Sequence, residues 1–580
     1  MAGALRISIG QCSDKGRKDS NQDFHGALIP TAPLLGLKGI AVALADGIST
    51  SAVSHIASES AVKSFLTDYY CTPDSWSVKT AAQRVLTATN SWLHAQNRRS
   101  EYRFDQDRGY ACTLSALVVK SSTAHLFHVG DSRIYRIAGR ALEQLTTDHR
   151  VVVSREVSYL GRAMGVGPHL EIDYRELAVE PGDVFLLATD GVYEHVDAEF
   201  LITTIGRDAD DLDRAARLVV EEALRRGSPD NLTLQILRID GVPDAEADDL
   251  FHRLAELPLP PLLEPRAVFD GYTILRELHA SSRSHVYLAR DGDALAPVVL
   301  KVPSIDRRDD RAYLRRFLLE EWIARRVSGA HIGSAHVLKP PPQTRPRRHL
   351  YVVTEYIEGQ TLTQWMRDHP RPDLPTVRGI VEQIGKGLQA FHRMEMLHQD
   401  LRPDNVMIDG SGTVKIIDFG STLVPGILDS LPEVDRHTIL GTVQYTAPEY
   451  FLGEGGSPAS DLYALGVITY QMLTGHLPYG TQAANATTRA RQHKLIYRPA
   501  LADDRDVPVW LDGVLRKAVH PDPAKRYQEL SEFLYDLRHP RKAFTGRAGL
   551  PLIERNPLLF WKTLSTLLAL AVLVLLAMRT

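Results

Sequence analysis

The feature that most constrains the fold of this chain is a break in composition near its middle. Residues 241–268 turn acidic and then proline-rich, as in Leu257-Pro-Leu-Pro-Pro-Leu-Leu-Glu-Pro265. Such a composition favours extended chain over a packed domain. The 580 residues also exceed what one core usually supports, since domains run to roughly 100–200 residues. We therefore expect two large domains, over residues 1–240 and 269–539, joined by a linker at 241–268.

The two halves differ in their hydrophobic patterns. Residues 1–240 contain short apolar runs typical of strands, with helical patterns near 52–70 and 79–97. This half is predicted to be α/β or α+β. From Asp270 a strand-rich stretch runs to about Tyr356, and helical patterns then continue to about His539. The fold class predicted for the whole chain is therefore multidomain α+β.

Charge and cysteine content exclude several classes of protein. The formal net charge is -4 and no block of Lys and Arg is long enough to form a binding tail, so nucleic acid is not expected as a partner. The three cysteines are too few and too scattered for a disulfide framework or a zinc site. We expect the bulk of the chain in a reducing, cytoplasmic location.

The C-terminal end carries a long apolar segment at residues 557–578. About 21 helical residues at 1.5 Å each span a hydrocarbon core of about 30 Å. Trp561 and Lys562 lie at the proximal end, where both residue types suit a membrane interface. The pattern predicts a single transmembrane helix behind a basic juxtamembrane linker at 540–556, with membrane lipid as its partner. The alternative is a buried or amphipathic helix, because the strictly apolar run Leu567–Met578 is short.

Acidic residues recur in the N-terminal half where apolar runs end. Taken singly, each such motif is an ordinary turn. As a set, carboxylates at strand ends with no nearby His or Cys suit Mg²⁺ or Mn²⁺ better than zinc. Two such ions can activate a bridging water and clamp a phosphoryl group, so the chemistry predicted is phosphomonoester hydrolysis. The motifs are Ala45-Asp46-Gly47, Gly130-Asp131-Ser132-Arg133, Thr189-Asp190-Gly191 and Asp230-Asn231.

A rival phosphatase chemistry would use a cysteine nucleophile of low pKa with an arginine phosphate cradle. Cys12 followed by Lys18 imitates that spacing. The cradle residue is Lys, however, and no glycine-rich loop joins the two. We therefore favour the metal-dependent chemistry.

Residues 6–240 resemble the type 2C, or PPM-type, metal-dependent Ser/Thr protein phosphatases. The resemblance implies an α/β-sandwich phosphatase fold. It rests on seven segments in family order: Ser20-Asn-Gln-Asp23, Leu44-Ala-Asp-Gly47, Val129-Gly-Asp-Ser-Arg133, Leu145-Thr-Thr-Asp-His149, Arg162-Ala-Met-Gly165, Leu187-Ala-Thr-Asp-Gly191 and Ser228-Pro-Asp-Asn-Leu-Thr233.

The resemblance implies a metal site with two or three ions. Asp46 would bridge two of them, and the Gly47 carbonyl would ligate one. Asp190 and Asp230 would ligate the other ion, and Asp131 would hold a third, weaker one.

Three further positions follow from the same resemblance. Asp23 would order metal-bound water, and either Arg17 or Lys18 would bind substrate phosphate. The sequence departs from the family at Gln22, where many members carry Glu, and at Ile48-Ser-Thr50, where the family has glycines.

The C-terminal half contains four motifs in the order and approximate spacing of the protein-kinase signature. Across about residues 270–538 the chain resembles eukaryotic-like Ser/Thr kinases, which implies a bilobal kinase fold. Asp461 and an ion pair between Glu449 and Arg526 are implied as structural features. The motifs are Val298-Val-Leu-Lys301, His398-Gln-Asp-Leu-Arg-Pro-Asp-Asn405, Asp418-Phe-Gly420 and Ala447-Pro-Glu449.

Phosphoryl transfer asks a protein mainly for positioning and charge neutralisation. Lys301 should hold the α- and β-phosphates of ATP and pair with Glu320, with Glu321 as the alternative partner. Asn405 and Asp418 should bind Mg²⁺.

The remaining kinase residues have roles at either end of the nucleotide. Asp400 should accept or orient the proton of the substrate hydroxyl, and Arg402 should neutralise the γ-phosphate. Glu355 and Ile357, after the gatekeeper Thr354, align with the hinge whose backbone binds adenine.

The glycine-rich loop of kinases is missing. His279, Ser281 and Ser284 stand where three glycines are expected, and glycine there permits close approach to phosphate. Gln399 replaces the usual Arg before the catalytic Asp, and Arg402 replaces a Lys.

The sequence therefore predicts a bifunctional Ser/Thr protein kinase and phosphatase, anchored to the inner membrane of a bacterium with both enzymatic domains in the cytoplasm. Its partners would be ATP and Ser/Thr or phospho-Ser/Thr proteins, including itself. The alternative is an active phosphatase controlled by a pseudokinase that serves as a binding or sensing module. A scaffold inactive in both halves would require both motif sets to be incidental.

Overall fold

The structure is a computed structural model of the chain. It describes residues 5–105, 108–152, 158–243, 257–292, 296–334, 347–429, 444–503, 507–541, 544 and 557–577.

Two five-stranded antiparallel sheets form the centre of the N-terminal domain. The strands are β1 (Arg6–Asp14), β2 (Phe24–Leu28), β3 (Ile40–Ala45), β4 (Leu114–Lys120), β5 (Thr123–Val129), β6 (Arg133–Ala138), β7 (Ala141–Gln144), β8 (Arg150–Val152), β9 (Ser158–Leu160), β10 (Asp173–Ala178), β11 (Val184–Ala188) and β12 (Leu232–Gly241). One sheet has the order β1-β12-β11-β6-β7 and the other the order β10-β5-β4-β3-β2, while β8 pairs with β9.

Helices cover the outer faces of both sheets. The first sheet packs against α5 (Ala198–Arg207) and α6 (Leu212–Arg225), and the second packs against α2 (Ser54–Cys71) and α3 (Val78–Arg99). A third apolar core lies between the sheets, which accounts for the continuous burial of β3 and β4. The strands and helices predicted from the apolar runs are confirmed. The helices are α1 (Leu34–Lys38), α2 (Ser54–Cys71), α3 (Val78–Arg99), α4 (Asp190–Tyr193), α5 (Ala198–Arg207) and α6 (Leu212–Arg225).

The C-terminal domain has a sheet-rich lobe followed by a helical lobe. Its strands are β13 (Val268–Phe269), β14 (Tyr272–Ala280), β15 (Ser284–Asp291), β16 (Pro297–Pro303), β17 (Val352–Glu355), β18 (Gly359–Thr361), β19 (Val406–Asp409) and β20 (Val414–Ile416). Strands β13 to β17 form one antiparallel sheet in sequence order, and β18 to β20 form a second. The helices are α7 (Arg311–Arg326), α8 (Leu362–Asp368), α9 (Leu374–Arg393), α10 (Pro425–Leu428), α11 (Pro458–Thr474), α12 (Arg489–Gln492), α13 (Val509–Ala518) and α14 (Leu530–Asp536).

The proline-rich part of the predicted linker lies against the C-terminal domain. Leu263 is buried in the core of the sheet-rich lobe, and the Leu350 amide donates to the Pro258 carbonyl at 3.0 Å. This stretch has no regular secondary structure before β13, as its composition predicts. It is nevertheless attached to one domain along residues 257–267 rather than free between the two.

The prediction of a transmembrane helix is wrong. Residues Pro557–Ala577 do form a helix, α15, but no helix in the described part of the chain is long and apolar enough to cross a membrane. Polar side chains from Lys562 to Thr566 interrupt its apolar character. The run that follows, up to Ala577, rises only about 16 Å, against a hydrocarbon core of about 30 Å. The predicted single-pass anchor and inner-membrane localisation are therefore wrong as well, and nothing in the described structure supports membrane lipid as a partner.

Candidate active sites

Strand register brings two of the predicted N-terminal site residues together. Strand β2 pairs with β3 so that Phe24 lies opposite Ala45, which places Asp23 beside Asp46 at the same sheet edge. The two carboxyl groups lie close enough for the charge of Asp23 to raise the pKa of Asp46. Asp23 also accepts hydrogen bonds through Oδ2 from the hydroxyls of Thr189 at 3.1 Å and Thr233 at 2.7 Å.

The other sheet delivers three more carboxylates to this edge. Ala188, at the end of β11, pairs with Leu234 of β12 and with Arg133 of β6. Asp190 follows β11, Asp230 precedes β12 and Asp131 precedes β6. All three carboxylates raise the pKa of Asp46 through their charge. The five predicted acidic residues therefore form one cluster.

Burial and like charge shape the titration of this cluster. Burial, followed by repulsion from Asp23 and the other carboxylates, raises the pKa of Asp46 well above its ordinary value. Burial followed by the Asp131 and Asp230 charges raises the pKa of Asp190 to about 7. Burial also raises the pKa of Asp23 to about 6. Such a cluster favours a bound cation.

Two basic side chains supply positive charge in the structure. Arg150 bridges the cluster: its Nε lies 2.7 Å from Asp131 Oδ2, and its Nη2 lies 3.2 Å from Asp190 Oδ2. Lys18 forms an ion pair with Asp230 and donates to the Ser49 hydroxyl at 2.6 Å. Of the two predicted phosphate-binding residues, Lys18 thus lies at the site, whereas Arg17 is exposed.

The chemistry of these residues suits a hard divalent metal ion, but their side chains do not converge on a single metal position. Five carboxylates and the Gly47 carbonyl are hard oxygen donors, and the buried Oδ1 of Asp23 has no hydrogen-bond partner in the described structure. Across the described residues, however, no three His, Cys, Asp or Glu side chains are arranged to hold a metal ion. Arg150 and Lys18 would have to withdraw before the carboxylates could converge.

Sequence reasoning missed Arg150, Thr189 and Thr233 as members of this site. Thr189 and Thr233 lie inside two of the motif segments, but their role as hydrogen-bond donors to Asp23 depends on strand register. Arg150 begins β8 directly after the Leu145-Thr-Thr-Asp-His149 segment. No signal in the sequence connects it to Asp131 and Asp190, which lie 19 and 40 residues away.

The C-terminal domain assembles a network around Lys301. Its ammonium donates to Glu320 Oε2 at 2.8 Å and to Asp418 Oδ1 at 3.1 Å. Burial alone would lower the pKa of Lys301, but the Asp418 and Glu320 charges outweigh it and raise that pKa. Glu321 instead pairs with Arg325 at 2.6 Å. Of the two carboxylates predicted as partners of Lys301, the structure places Glu320 against it.

Asp461 stabilises the loop that contains Asp400. The Asp461 carboxylate accepts hydrogen bonds from the backbone amides of His398 at 2.9 Å and Gln399 at 3.0 Å. The Asn405 side-chain amide donates to the Asp400 carbonyl at 2.9 Å. Gln399 and Asp418 both have a left-handed backbone, with φ of 64° and 66°. Strained non-glycine backbone of this kind is concentrated at functional sites.

Arg402 and Glu355 make local ion pairs. Arg402 Nε donates to Asp404 Oδ2 at 2.9 Å. Glu355 ends β17 and its carboxylate pairs with Lys415 at 2.9 Å. Ile357 follows that strand as a half-buried residue, and β17 pairs with β16 so that Val352 lies opposite Lys301.

The glycine-free segment forms a closed hairpin turn. Ser281 donates through its hydroxyl to the Ser284 carbonyl at 3.1 Å and accepts from the Ser284 amide at 3.1 Å. The Tyr313 hydroxyl, on α7, donates to the Arg283 carbonyl at 2.6 Å. Side-chain hydrogen bonds therefore order the loop tip, and sequence reasoning missed the contribution of Tyr313.

The other kinase-like features are divided between described and undescribed residues. Arg526 pairs with Glu449 through two hydrogen bonds of 2.8 and 2.6 Å, with both side chains almost wholly buried. Thr438 and Thr442, in the activation segment between Asp418-Phe-Gly420 and Ala447-Pro-Glu449, lie outside the described residues.

Comparison with known proteins assigns each half to a family. Residues 13–226 match the family described as Protein phosphatase 2C, and residues 272–535 match the family described as Protein kinase domain. The chain therefore joins a protein phosphatase 2C domain to a protein kinase domain, and we use those two names below. The domain limits of 1–240 and 269–539 stay predictions.

Individual relatives match one half at a time. The serine/threonine-protein kinase PrkC of Bacillus subtilis is 29% identical over 282 residues, which is 48% of this chain and 41% of PrkC. The kinase PknL of Mycobacterium bovis is 31% identical over 267 residues, or 46% of this chain and 65% of PknL. The chain thus spans about half the length of the curated relatives it matches.

A solved structure resembles the other half. The structure described as PppA, a key regulatory component of T6SS in Pseudomonas aeruginosa, is 26% identical. The match covers 41% of this chain and 99% of PppA, with a TM-score of 0.34.

Proposed function

We propose that this chain is a bifunctional enzyme that transfers phosphate from ATP to Ser/Thr residues of proteins and removes phosphate from phospho-Ser/Thr residues. The observation that carries the proposal is the network in which Lys301 contacts both Glu320 and Asp418 in a chain that also buries the Asp46 cluster. Each domain holds the charged groups that its half of the chemistry requires.

In the phosphatase domain, the acidic cluster would hold Mg²⁺ or Mn²⁺, which supplies an activated water and a clamp for the phosphoryl group. Asp46 and the Gly47 carbonyl, with Asp190, Asp230 and Asp131, are the residues that would bind the ions. Asp23 would orient the attacking water, because its Oδ1 is buried and unpaired in the described structure.

Lys18 would bind the phosphate of the substrate protein. It lies at the edge of the cluster through its contact with Asp230, and its ammonium is released when that carboxylate takes another cation. A Lys acts there as a point charge.

In the kinase domain, Lys301 would hold the α- and β-phosphates of ATP while Glu320 fixes the orientation of its ammonium. Asp418 and Asn405 would bind Mg²⁺ that accompanies the nucleotide. Asp400 would orient the substrate hydroxyl and accept its proton. Arg402 would neutralise the γ-phosphate after leaving Asp404.

A second candidate function is favoured by one observation. The nucleotide loop lacks glycine, and hydrogen bonds of Ser281 and Tyr313 fix its tip. If this loop excludes phosphate, the kinase domain would be a pseudokinase that regulates an active phosphatase.

Transfer of radiolabelled phosphate from ATP distinguishes the two candidates. The chain would carry Asp46→Asn and Asp190→Asn so that hydrolysis does not remove the product. We expect label on the chain or on an acceptor protein, and its loss with Asp400→Asn. No label together with no ATP binding would establish the pseudokinase. The phosphatase is tested by Mn²⁺-dependent hydrolysis of a phosphopeptide, which Asp46→Asn should abolish.

A further inference from the structure

Among the described residues, one loop of the phosphatase domain makes the main contact with the kinase domain, and Lys120 of β4 and Arg84 of α3 add to it. We call residues 72–78, which join α2 to α3, the docking loop. The Ser75 hydroxyl donates to the Met394 carbonyl at 2.5 Å, and the Ser75 carbonyl accepts from the Gly426 amide at 2.8 Å. The Val78 amide, at the start of α3, donates to Asp429 Oδ2 at 2.7 Å. The docking loop thus forms hydrogen bonds with Met394 and with the segment that follows Asp418 in the kinase domain.

Two buried lysines of the phosphatase domain reinforce this contact. Lys120, at the end of β4 and 1% exposed, donates to the Gly426 carbonyl and lies 4.0 Å from Asp429 Oδ2. Lys38, 2% exposed, donates to the Thr72 hydroxyl at 2.7 Å and to a neighbouring carbonyl of the loop at 2.8 Å. Lys38 fixes the docking loop from within its own domain, and Lys120 reaches across the interface.

The same loop also contacts the helix that carries Glu320. Arg326 is the last residue of α7, and its guanidinium lies 3.2 Å from Asp74 Oδ2. It also lies over the ring of Trp322, 4.0 Å from the ring centroid. One short loop of the phosphatase domain therefore touches both elements that hold the partners of Lys301.

Gly426 shows that the approach is close. A Cβ built on this residue would lie 2.7 Å from the Trp76 carbonyl oxygen and closer still to that of Asp74. Both atoms belong to the backbone of the docking loop, which cannot rotate away as a side chain does. Gly426 itself lies in the short helix α10, where alanine is readily accommodated. Only the contact with the other domain requires glycine here.

We propose that the phosphatase domain is a positioning element of the kinase site. By docking on the start of the activation segment and on the end of α7, it holds Asp418 and Glu320 where both contact Lys301. This inference rests on the proposed kinase function. It adds that ATP use by the kinase domain depends on the docked phosphatase domain of the same chain.

The phosphatase site itself is remote from the interface. Asp46 lies beside Thr113 at one end of β4, whereas Lys120 is at the other end, about 24 Å away at 3.4 Å per residue. Disturbing the docking loop contact should therefore leave phosphopeptide hydrolysis unchanged.

The test is Gly426→Ala in the full chain, with Gly379→Ala as the matched control. Gly379 lies in α9, and an added Cβ there meets no atom within 4 Å. For each variant we would measure phosphate transfer in the Asp46→Asn, Asp190→Asn background, KM for ATP, and hydrogen exchange of the docking loop. Phosphopeptide hydrolysis would be measured without the background changes.

We expect Gly426→Ala to lower transfer at least tenfold, to raise KM for ATP, and to increase exchange in the docking loop, with hydrolysis unchanged. Gly379→Ala should match the parent chain. Faster exchange with unchanged or faster transfer would overturn the proposal, because the contact would then be neutral or inhibitory.

If the parent chain transfers no phosphate, the kinase function fails instead. Binding of ATP to the same variants then decides the positioning claim: equal ATP affinity in Gly426→Ala and the parent would overturn it, and weaker affinity would support it.

A charge exchange provides a second variant set. Asp74→Arg and Arg326→Asp should each weaken transfer, and the double variant should recover most of it, because the ion pair is restored in reverse. Failure of the double variant to recover any transfer, when both single variants have lost it, would count against a positioning role for this pair.

Discussion

Arg150 lies among the carboxylates of the phosphatase site. It contacts Asp131 and Asp190, two residues proposed as metal ligands. A guanidinium there competes with a metal ion for the same carboxylate oxygens.

We predict that Arg150→Gln tightens Mn²⁺ binding by roughly tenfold, or about 1.4 kcal/mol, and lowers the Tm of the metal-free protein. Isothermal titration and thermal melts in EDTA would measure the two effects. Arg162→Gln is the control, because Arg162 pairs with Glu171 and Asp173 away from the cluster. Weaker Mn²⁺ binding in Arg150→Gln would contradict the prediction.

The raised pKa values of Asp190 and Asp23 predict a dependence of stability on pH. A carboxyl whose pKa is higher in the folded chain stabilises the fold at low pH and loses that contribution as pH rises through the folded value. The ordinary value is 3.8, and the folded values are about 7 for Asp190 and about 6 for Asp23. Without metal, the Tm of the phosphatase domain should fall from about pH 4 to about pH 7 and level off above that. Asp190→Asn should reduce this fall, and a Tm that rises over the same range would refute the assignment.

Glu320 and Glu321 offer a matched pair in the kinase domain. Glu320 contacts Lys301, whereas the half-buried Glu321 pairs with Arg325 of the same helix and with Arg347. We predict that Glu320→Gln lowers phosphate transfer by roughly 100-fold through misplacement of Lys301, whereas Glu321→Gln has little effect. Equal losses in steady-state transfer assays would mean that the contact seen in the structure does not position Lys301.

At the scale of elements, the hairpin between β14 and β15 replaces glycine with side-chain hydrogen bonds. Ser281 closes the turn, while its neighbour Ser282 is exposed. We predict that Ser281→Ala raises KM for ATP severalfold with kcat little changed, because a loosened tip binds the nucleotide less well. Ser282→Ala should behave as the parent chain. An unchanged KM in Ser281→Ala would show that the turn is not part of the nucleotide site.

Elements were predictable from the sequence where burial is continuous or periodic. The runs that became β3, β4 and β11 are almost wholly apolar, apart from Ser115 and Lys120 of β4, because both sheet faces are covered. Because the ends of these apolar runs can be recognised in the sequence, the acidic residues next to them could be placed at strand ends. The Arg150 bridge and the hydroxyls of Thr189 and Thr233 could not, since they depend on register between strands distant in sequence.

At the scale of the whole molecule, the two family matches lie on either side of the composition break at 241–268, and the domain limits drawn from that break stay predictions. The apolar C-terminal segment was wrongly predicted to span a membrane. Hydropathy alone gave too little weight to the polar residues Lys562, Thr563, Ser565 and Thr566. The docking loop contact was not predictable, because Ser75 and the buried Lys120 bind backbone carbonyls more than 300 positions away in the chain.

The central claim is that one chain both adds and removes protein phosphate. The most direct measurement follows radiolabel from ATP on the full chain with Mg²⁺ and Mn²⁺, then adds excess unlabelled ATP and follows the decay. We predict that the unmodified chain labels weakly and loses label quickly, that Asp46→Asn accumulates label and retains it, and that Asp400→Asn takes up none. Equal labelling and equal decay in the unmodified chain and in Asp46→Asn would contradict the claim.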